Sequence, residues 1–365
     1  MLLLWAALLL AFPGQSLEGA RKGVSLCLDL IIPSLFPFFV LSSLLIATGF
    51  ASMCARLLSG LLSPLFGVGG SGAAALLLGA VGGYPVGART LSQMVKTGEC
   101  SEAEARRLSL FCNNCGPAFF IGAVGAGVFG SREAGMVLLG ANLTAALLVG
   151  LIARIIGGKL PPSNKRAGST SKPFPGVWQA FPDSVQSAFS ASLGVCAYVI
   201  LFSVLIMLLD RIGWGTVLTE KLSGRLPMER GSVLLRALLT GLLEMSTGTA
   251  ALAEGAASPA ALPLAGFLLG WGGLSVFCQT LPFWREAGVP SLPYLGAKLG
   301  QGLISAGIVA VWVHFFPLTV PVMAVSASPF LPSLFREVTV LWGLAGVLWL
   351  RQRQRGQKKR RTPAS

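Results

Sequence analysis

Apolar residues dominate this chain in long runs, at about 24–50, 71–95, 108–130, 133–156, 186–209, 231–253, 260–284 and 294–316. Shorter runs occupy 2–13 and 337–350. At 1.5 Å rise per residue, roughly 20 apolar residues cross the hydrocarbon core of a bilayer. The pattern predicts an all-α, polytopic membrane protein with about eight to ten membrane segments. The first run has the length of a signal peptide, but it lacks a positive n-region and a clean small-x-small cleavage site, so it reads as a first membrane helix.

Several runs are interrupted from within. In "LLLGAVGGYPVGART", Gly79, Gly83 and Gly87 give one helix a glycine face for close contact. Pro85 then breaks the helix, Tyr84 supplies a hydroxyl, and Arg89 places a cation nearby. In "LFCNNCGPAFFIGAVGAGVFG", Asn113, Asn114, Gly116 and Pro117 lie together between apolar flanks. Two adjacent amides cannot be satisfied by lipid, and irregular backbone at membrane depth is tolerated only where it is buried or lines a wet cavity. Between these breaks, "KTGECSEAEARRL" reads as a short surface helix with Ser101 and Glu104 in a capping box.

The second half echoes this order. A polar break at Glu244, Ser246, Thr247, Gly248 and Thr249 is followed by a short Ala/Ser/Pro connector. A glycine-rich run then ends at Ser275, Gln279 and Thr280. The expected organisation is a first membrane repeat at 1–157, a basic linker at 158–185 and a second repeat at 186–316. A C-terminal membrane segment at 317–350 and a basic tail at 351–365 complete it. Two halves, each with a pair of broken or re-entrant helices, are the sequence pointer to a transporter whose site lies at the repeat interface.

Composition sharpens this picture. Only 12% of the 365 residues are charged and 53% are hydrophobic, with a mean hydropathy of +0.73. Soluble domains carry about 25% charged residues, so most of this surface must face lipid. The net charge of +14 concentrates in a cluster from Arg154 to Lys172 and in the tail from Arg351 to Arg361. Beside membrane helices, the positive-inside rule explains both clusters and places them in the cytoplasm, with no nucleic acid as partner.

Two motifs resemble soluble active sites. Cys112-x-x-Cys115 has redox or zinc spacing, but no second such pair exists and the sole histidine is His314. A closed zinc site needs four ligands, so no metal is expected, and the cysteines read as small side chains at a helix bend. Gly125-x-Gly127-x-x-Gly130 lacks the preceding strand and the later acid that a dinucleotide turn requires. One histidine and no clustered carboxylates leave no catalytic residues and no cofactor to propose, so the chain does not read as an enzyme.

The residues favour transport of a small organic anion. Half-helix N-termini present unpaired N–H groups and positive dipole ends to anions. The candidate substrate-binding residues are Gly83, Tyr84, Pro85, Arg89, Asn113, Asn114, Gly116, Pro117, Glu244, Ser246, Thr247, Thr249, Ser275 and Gln279. Glu244 is expensive inside an apolar segment unless it is paired or protonated; it reads as an ion- or proton-coupling group or as the partner of Arg89. Asp29, two turns before the Pro33–Pro37 break, is a weaker candidate for a coupling role. A non-transporting scaffold in a membrane complex is the competing class, but a scaffold gains nothing from polar clusters at membrane depth.

The stretch "GGYPVGARTLSQMVKTGECSEAEARRLSLFCNNCGPAFFIGAVGAGVFG" resembles the nucleoside-recognition Gate domain. With "IPSLFPFFVLSSLL", "LLEMSTG" and "GGLSVFCQ", it resembles the YlbJ (SpoVV) family of sporulation integral membrane proteins over roughly 20–315. The resemblance implies a relation to concentrative nucleoside transporters. It also implies a role in the mother-cell-derived membrane around the forespore, moving dipicolinate towards the forespore for cortex and core maturation. A nucleoside or base is the alternative cargo implied by the Gate name; three tyrosines and one obvious intramembrane glutamate near a break supply less of the stacking and ribose binding it needs.

Overall fold

The computed structural model describes residues 2–316 apart from 50–52, 54–56, 58, 59, 63, 159, 161–174, 214–228 and 257. The segment and tail expected at 317–365, and most of the expected linker, lie outside the described residues. Among the described residues every regular element is helical.

The first half opens with α1 (Leu2–Ala11) and α2 (Pro13–Leu26), a π turn (Cys27–Ile31) carrying Asp29, and α3 (Ile32–Ala47). Asp29 accepts a hydrogen bond from Ser25. Residues Pro13–Ile31 and Leu35–Ala47 meet at 59°, where Pro33 removes a backbone donor. Then come α4 (Gly70–Gly82), α5 (Val86–Lys96), α6 (Glu102–Cys112), a π-helical segment (Phe119–Val128) and α7 (Arg132–Gly157). The second half repeats this order. Long α8 (Val177–Arg211) is followed by half-length α9 (Glu229–Leu243) and α10 (Met245–Ala251), then α11 (Ala261–Trp271) and α12 (Gly273–Glu286), and finally long α13 (Ser291–Phe315). Each half therefore reads long helix, broken pair, broken pair, long helix. The bent α2–α3 unit packs on α8, and α7 packs on α13, so corresponding elements face each other across the halves.

By length and composition α7, α8, α11 with α12, and α13 can cross a membrane, and the bent pair makes a fifth candidate. The runs at 71–95, 108–130 and 231–253 instead contribute the shorter apolar helices Gly72–Gly82, Phe119–Val128 and Val233–Leu243. Hydropathy counted the residues on both sides of each break as one span, whereas the backbone turns there. Helix α8 starts at Val177, nine residues before the apolar run, inside the stretch read as linker.

The four breaks form two crossings. Gly83, at φ 71°, ends α4; a Cβ there would sit 2.8 Å from the backbone nitrogen of Gly116 in the partner break. Gly273, at φ 82°, opens α12, and its Cβ would lie 3.0 Å from the nitrogen of Met245. Only glycine takes this left-handed geometry without strain while letting a second backbone approach.

The segment read as a surface helix exposes Ser101, Glu102 and Arg106 but buries its other face. Ser101 and Glu104 do form the capping box, but α6 runs from it directly into the Asn113 break, and Glu104 and Arg107 are buried. Glu104 also accepts from the Gly69 N–H at 2.8 Å. Arg107 donates to the carbonyls of Phe66, Gly67, Gly157 and Gly158. These two charges tie together the backbone ends of α4 and α7, which is why a polar sequence tolerates burial.

Candidate functional site

A cavity of about 40 Å³ lies where the two crossings meet. Its wall carries Gly83 and Tyr84 from the first break, Gly116 from the second, Glu244 and Ser246 from the third, and Ser275 and Gln279 from the first turns of α12. Phe38, Phe39, Val195 and Tyr198 close it on the side of α3 and α8. At roughly 10–15 Å³ per water position, it has room for a few waters.

Each polar wall group has a structural origin. Glu244 is 1% exposed and is the N-cap of α10. It accepts from the N–H groups of Ser246 (3.0 Å) and Thr247 (2.5 Å), and from Ser275 Oγ at 3.4 Å. Those bonds account for a carboxylate in an apolar segment without Arg89. The start of α12 has no side-chain cap, whereas Asn113 Oδ1 takes the Ala88 N–H at the start of α5 and the Phe119 and Phe120 N–H groups bond to Gly116 O. Tyr84 Oη and Gln279 Nε2 are buried with no hydrogen-bond partner, as is Thr247 Oγ1. A buried donor left unmade costs about 1–3 kcal/mol, so the wall has unspent capacity for an acceptor.

The remaining predicted residues lie elsewhere. Asn113 and Asn114 are fully buried behind Tyr84 rather than on the cavity wall. Asn113 Oδ1 accepts from Ala88 N and its Nδ2 donates to Tyr294 Oη at 3.1 Å. Asn114 Nδ2 donates to Phe111 O. Pro85 and Pro117 flank the wall without lining it, and Thr249 Oγ1 donates to the carbonyls of Met245 and Ser246 in its own helix. Arg89 is exposed, its Nη1 3.5 Å from Ser187 Oγ. Helix α5 is amphipathic, with Ala88, Leu91 and Ser92 on the buried face, and Arg89 lies off that face.

The sequence reading missed the centre of this network. Lys298 on α13 is 2% exposed and donates to Asn113 O at 3.0 Å and Gln301 Oε1 at 2.7 Å. Gln301 Nε2 donates in turn to Asn114 Oδ1 at 2.8 Å and Asn142 Oδ1 at 3.1 Å. The Lys298 nitrogen lies 5.3 Å from the centre of the Tyr84 ring, so one aromatic ring separates it from the cavity wall. The signal was present as Tyr294, Lys298 and Gln301 on one face of an otherwise apolar helix. An intramembrane lysine is rare enough to be questioned by itself.

Cys112 and Cys115 are buried free thiols at the mouth of the second break. Gly125, Gly127 and Gly130 belong to the π-helical stretch and its end, with Gly125 close against Gly135, so the fingerprint is a helix-packing surface.

The Gate family, described as nucleoside recognition, matches residues 29–132, which contain both first-half breaks. The sporulation integral membrane protein YlbJ of Bacillus subtilis strain 168 is 31% identical over 320 residues, covering 82% of this chain and 78% of that protein. No solved structure matches the chain.

Proposed function

This chain belongs to the family of the sporulation integral membrane protein YlbJ, and we propose that it moves a small organic anion across a membrane by alternating access at the cavity between the halves. The family points to a membrane protein of sporulation rather than an enzyme. The carrying observation is the convergence on one cavity of the uncapped start of α12 with the unpartnered donors Tyr84 Oη and Gln279 Nε2, one from each half. That helix start contributes roughly half a positive charge. Glu244 already accepts three hydrogen bonds, from its own helix and from Ser275, which leaves the wall short of acceptors. A carboxylate supplies them.

Dipicolinate, moved towards the forespore through the membrane that surrounds it, is the cargo to test first. At about 40 Å³ the cavity holds only a few waters, and loading it requires the halves to part. Exposed Arg89 would draw anions to the entrance. The match to a family described as nucleoside recognition supports a second cargo, a nucleoside, with Glu244 and Gln279 binding its hydroxyls and base.

Uptake into proteoliposomes separates these readings. Dipicolinate should enter and uridine should not. Tyr84→Phe and Gln279→Leu should each lower dipicolinate uptake by about 10-fold or more, the value of one hydrogen bond to a charged group. Arg89→Ala should lower it less, and more at low salt, as steering charges do. Arg351→Ala in the tail should leave it unchanged. Uridine uptake lost in Glu244→Gln would establish the nucleoside, and uptake of neither would leave a scaffold.

A further inference from the structure

The buried amine of Lys298 has no role in the reading above. It lies in the longest continuous apolar element of the second half's end, α13, yet no carboxylate among the described residues pairs with it. The carboxylates of the helices packed on α13 are engaged or distant. Glu102 pairs with Arg106, Glu104 caps α6, and Glu286 binds Ser92 and Lys96; Glu133 is exposed at the start of α7. The titratable groups that face the amine are Cys112 and Cys115 from the second break, Tyr84 from the first, and Tyr294 on its own helix. None of them brings a negative charge at neutral pH.

Missing countercharge, rather than hydrogen-bond count, discriminates between its two forms. A neutral amine has two N–H donors and an ammonium has three. Two acceptors meet the nitrogen, Asn113 O and Gln301 Oε1. The Tyr84 ring face, 5.3 Å away, gives the ammonium a weak cation–π contact, but no group around the nitrogen brings a countercharge, so burial disfavours the charged form. An anion in the cavity that Tyr84 lines supplies the missing countercharge.

We infer that Lys298 is the coupling group of the transporter, taking up one proton when an anion enters the cavity and releasing it when the anion leaves. The proton comes from the aqueous side from which the anion enters, so a dianion crosses with one proton and a net charge of −1. By linkage the effect is reciprocal: the anion raises the proton affinity of the amine, and the proton raises the affinity for the anion by the same factor. This inference rests on the anion reading above, and the test keeps the two apart.

Calorimetric titration of dipicolinate into the purified protein, in two buffers of different ionisation enthalpy, counts protons taken up per anion. The wild type should take up close to one proton per anion at mildly alkaline pH, with affinity weakening by up to about tenfold per pH unit. Lys298→Arg keeps a charge that cannot be lost, so it should bind dipicolinate with no proton uptake and a flat pH profile. Lys298→Met should lose both the uptake and most of the affinity. Wild-type protein that binds no dipicolinate overturns the anion reading and the coupling with it. Binding without proton uptake, or uptake unchanged in Lys298→Arg, overturns the coupling alone.

Discussion

Glu244 shows how one side chain's partners fix its role. Its two carboxylate oxygens take the Ser246 and Thr247 N–H groups in the first turn of α10, and Oε1 also receives the Ser275 hydroxyl. Glu244→Ala strands both N–H groups in a buried site and should destabilise the protein by about 1–3 kcal/mol. Glu244→Gln keeps one accepting oxygen and should lose roughly half as much. Thermal unfolding in detergent measures the order. A Gln variant as stable as wild type would show that the second oxygen and the charge do not hold the break. Lys298 illustrates the opposite case: an ionisable group whose partners, Asn113 O and Gln301 Oε1, bring no opposite charge.

Among the elements, the crossings decide what the helices can do, and glycines decide whether the crossings form. A Cβ on Gly79 of α4 would lie 1.7 Å from the carbonyl oxygen of Cys112, which is main chain and cannot swing aside. Gly140 of α7 is also helical, but a Cβ there meets nothing within 4 Å. The same change should therefore have opposite signs at the two sites. Gly79→Ala should abolish the folded protein, whereas Gly140→Ala should be neutral or stabilising by up to about 1 kcal/mol through backbone entropy. Size-exclusion profiles and melting temperatures of the two variants check this. A folded Gly79→Ala protein would mean that α4 and the second break are not in contact.

For the whole molecule, the joint between the halves is polar at its centre. Gln301 on α13 joins Asn114 from the first half's break to Asn142 on α7 and to Lys298. Gln301→Leu should cost about 2–4 kcal/mol, because it leaves several buried amide groups unmatched. Asn142→Leu combined with it should cost less than the sum of the single changes by about 1 kcal/mol, since the two remove a shared bond. Additive losses in unfolding titrations would mean that the bond between them contributes nothing.

The sequence alone determined the all-helical membrane class, the positions of the four breaks and the repeated order of elements. Those properties follow from local rules: apolar run length, the backbone donor that proline lacks, the φ that only glycine takes freely, and the capping box at Ser101. It also identified the wall groups Tyr84, Glu244, Ser275 and Gln279 as polar residues needing an explanation. Tertiary structure decided which of them share a cavity, because that depends on how the crossings stack rather than on any one segment. It placed Asn113 and Asn114 behind the wall, left Arg89 on the exposed surface beside Ser187, and buried Glu104 and Arg107 against backbone ends far away in the chain. It turned three apparent spans into half-helices, since hydropathy sums the residues on both sides of a break and cannot register a change of direction. It also brought Lys298 to Asn113 across 185 residues, a pairing set by the docking of α13 on the first half and invisible to any rule of spacing.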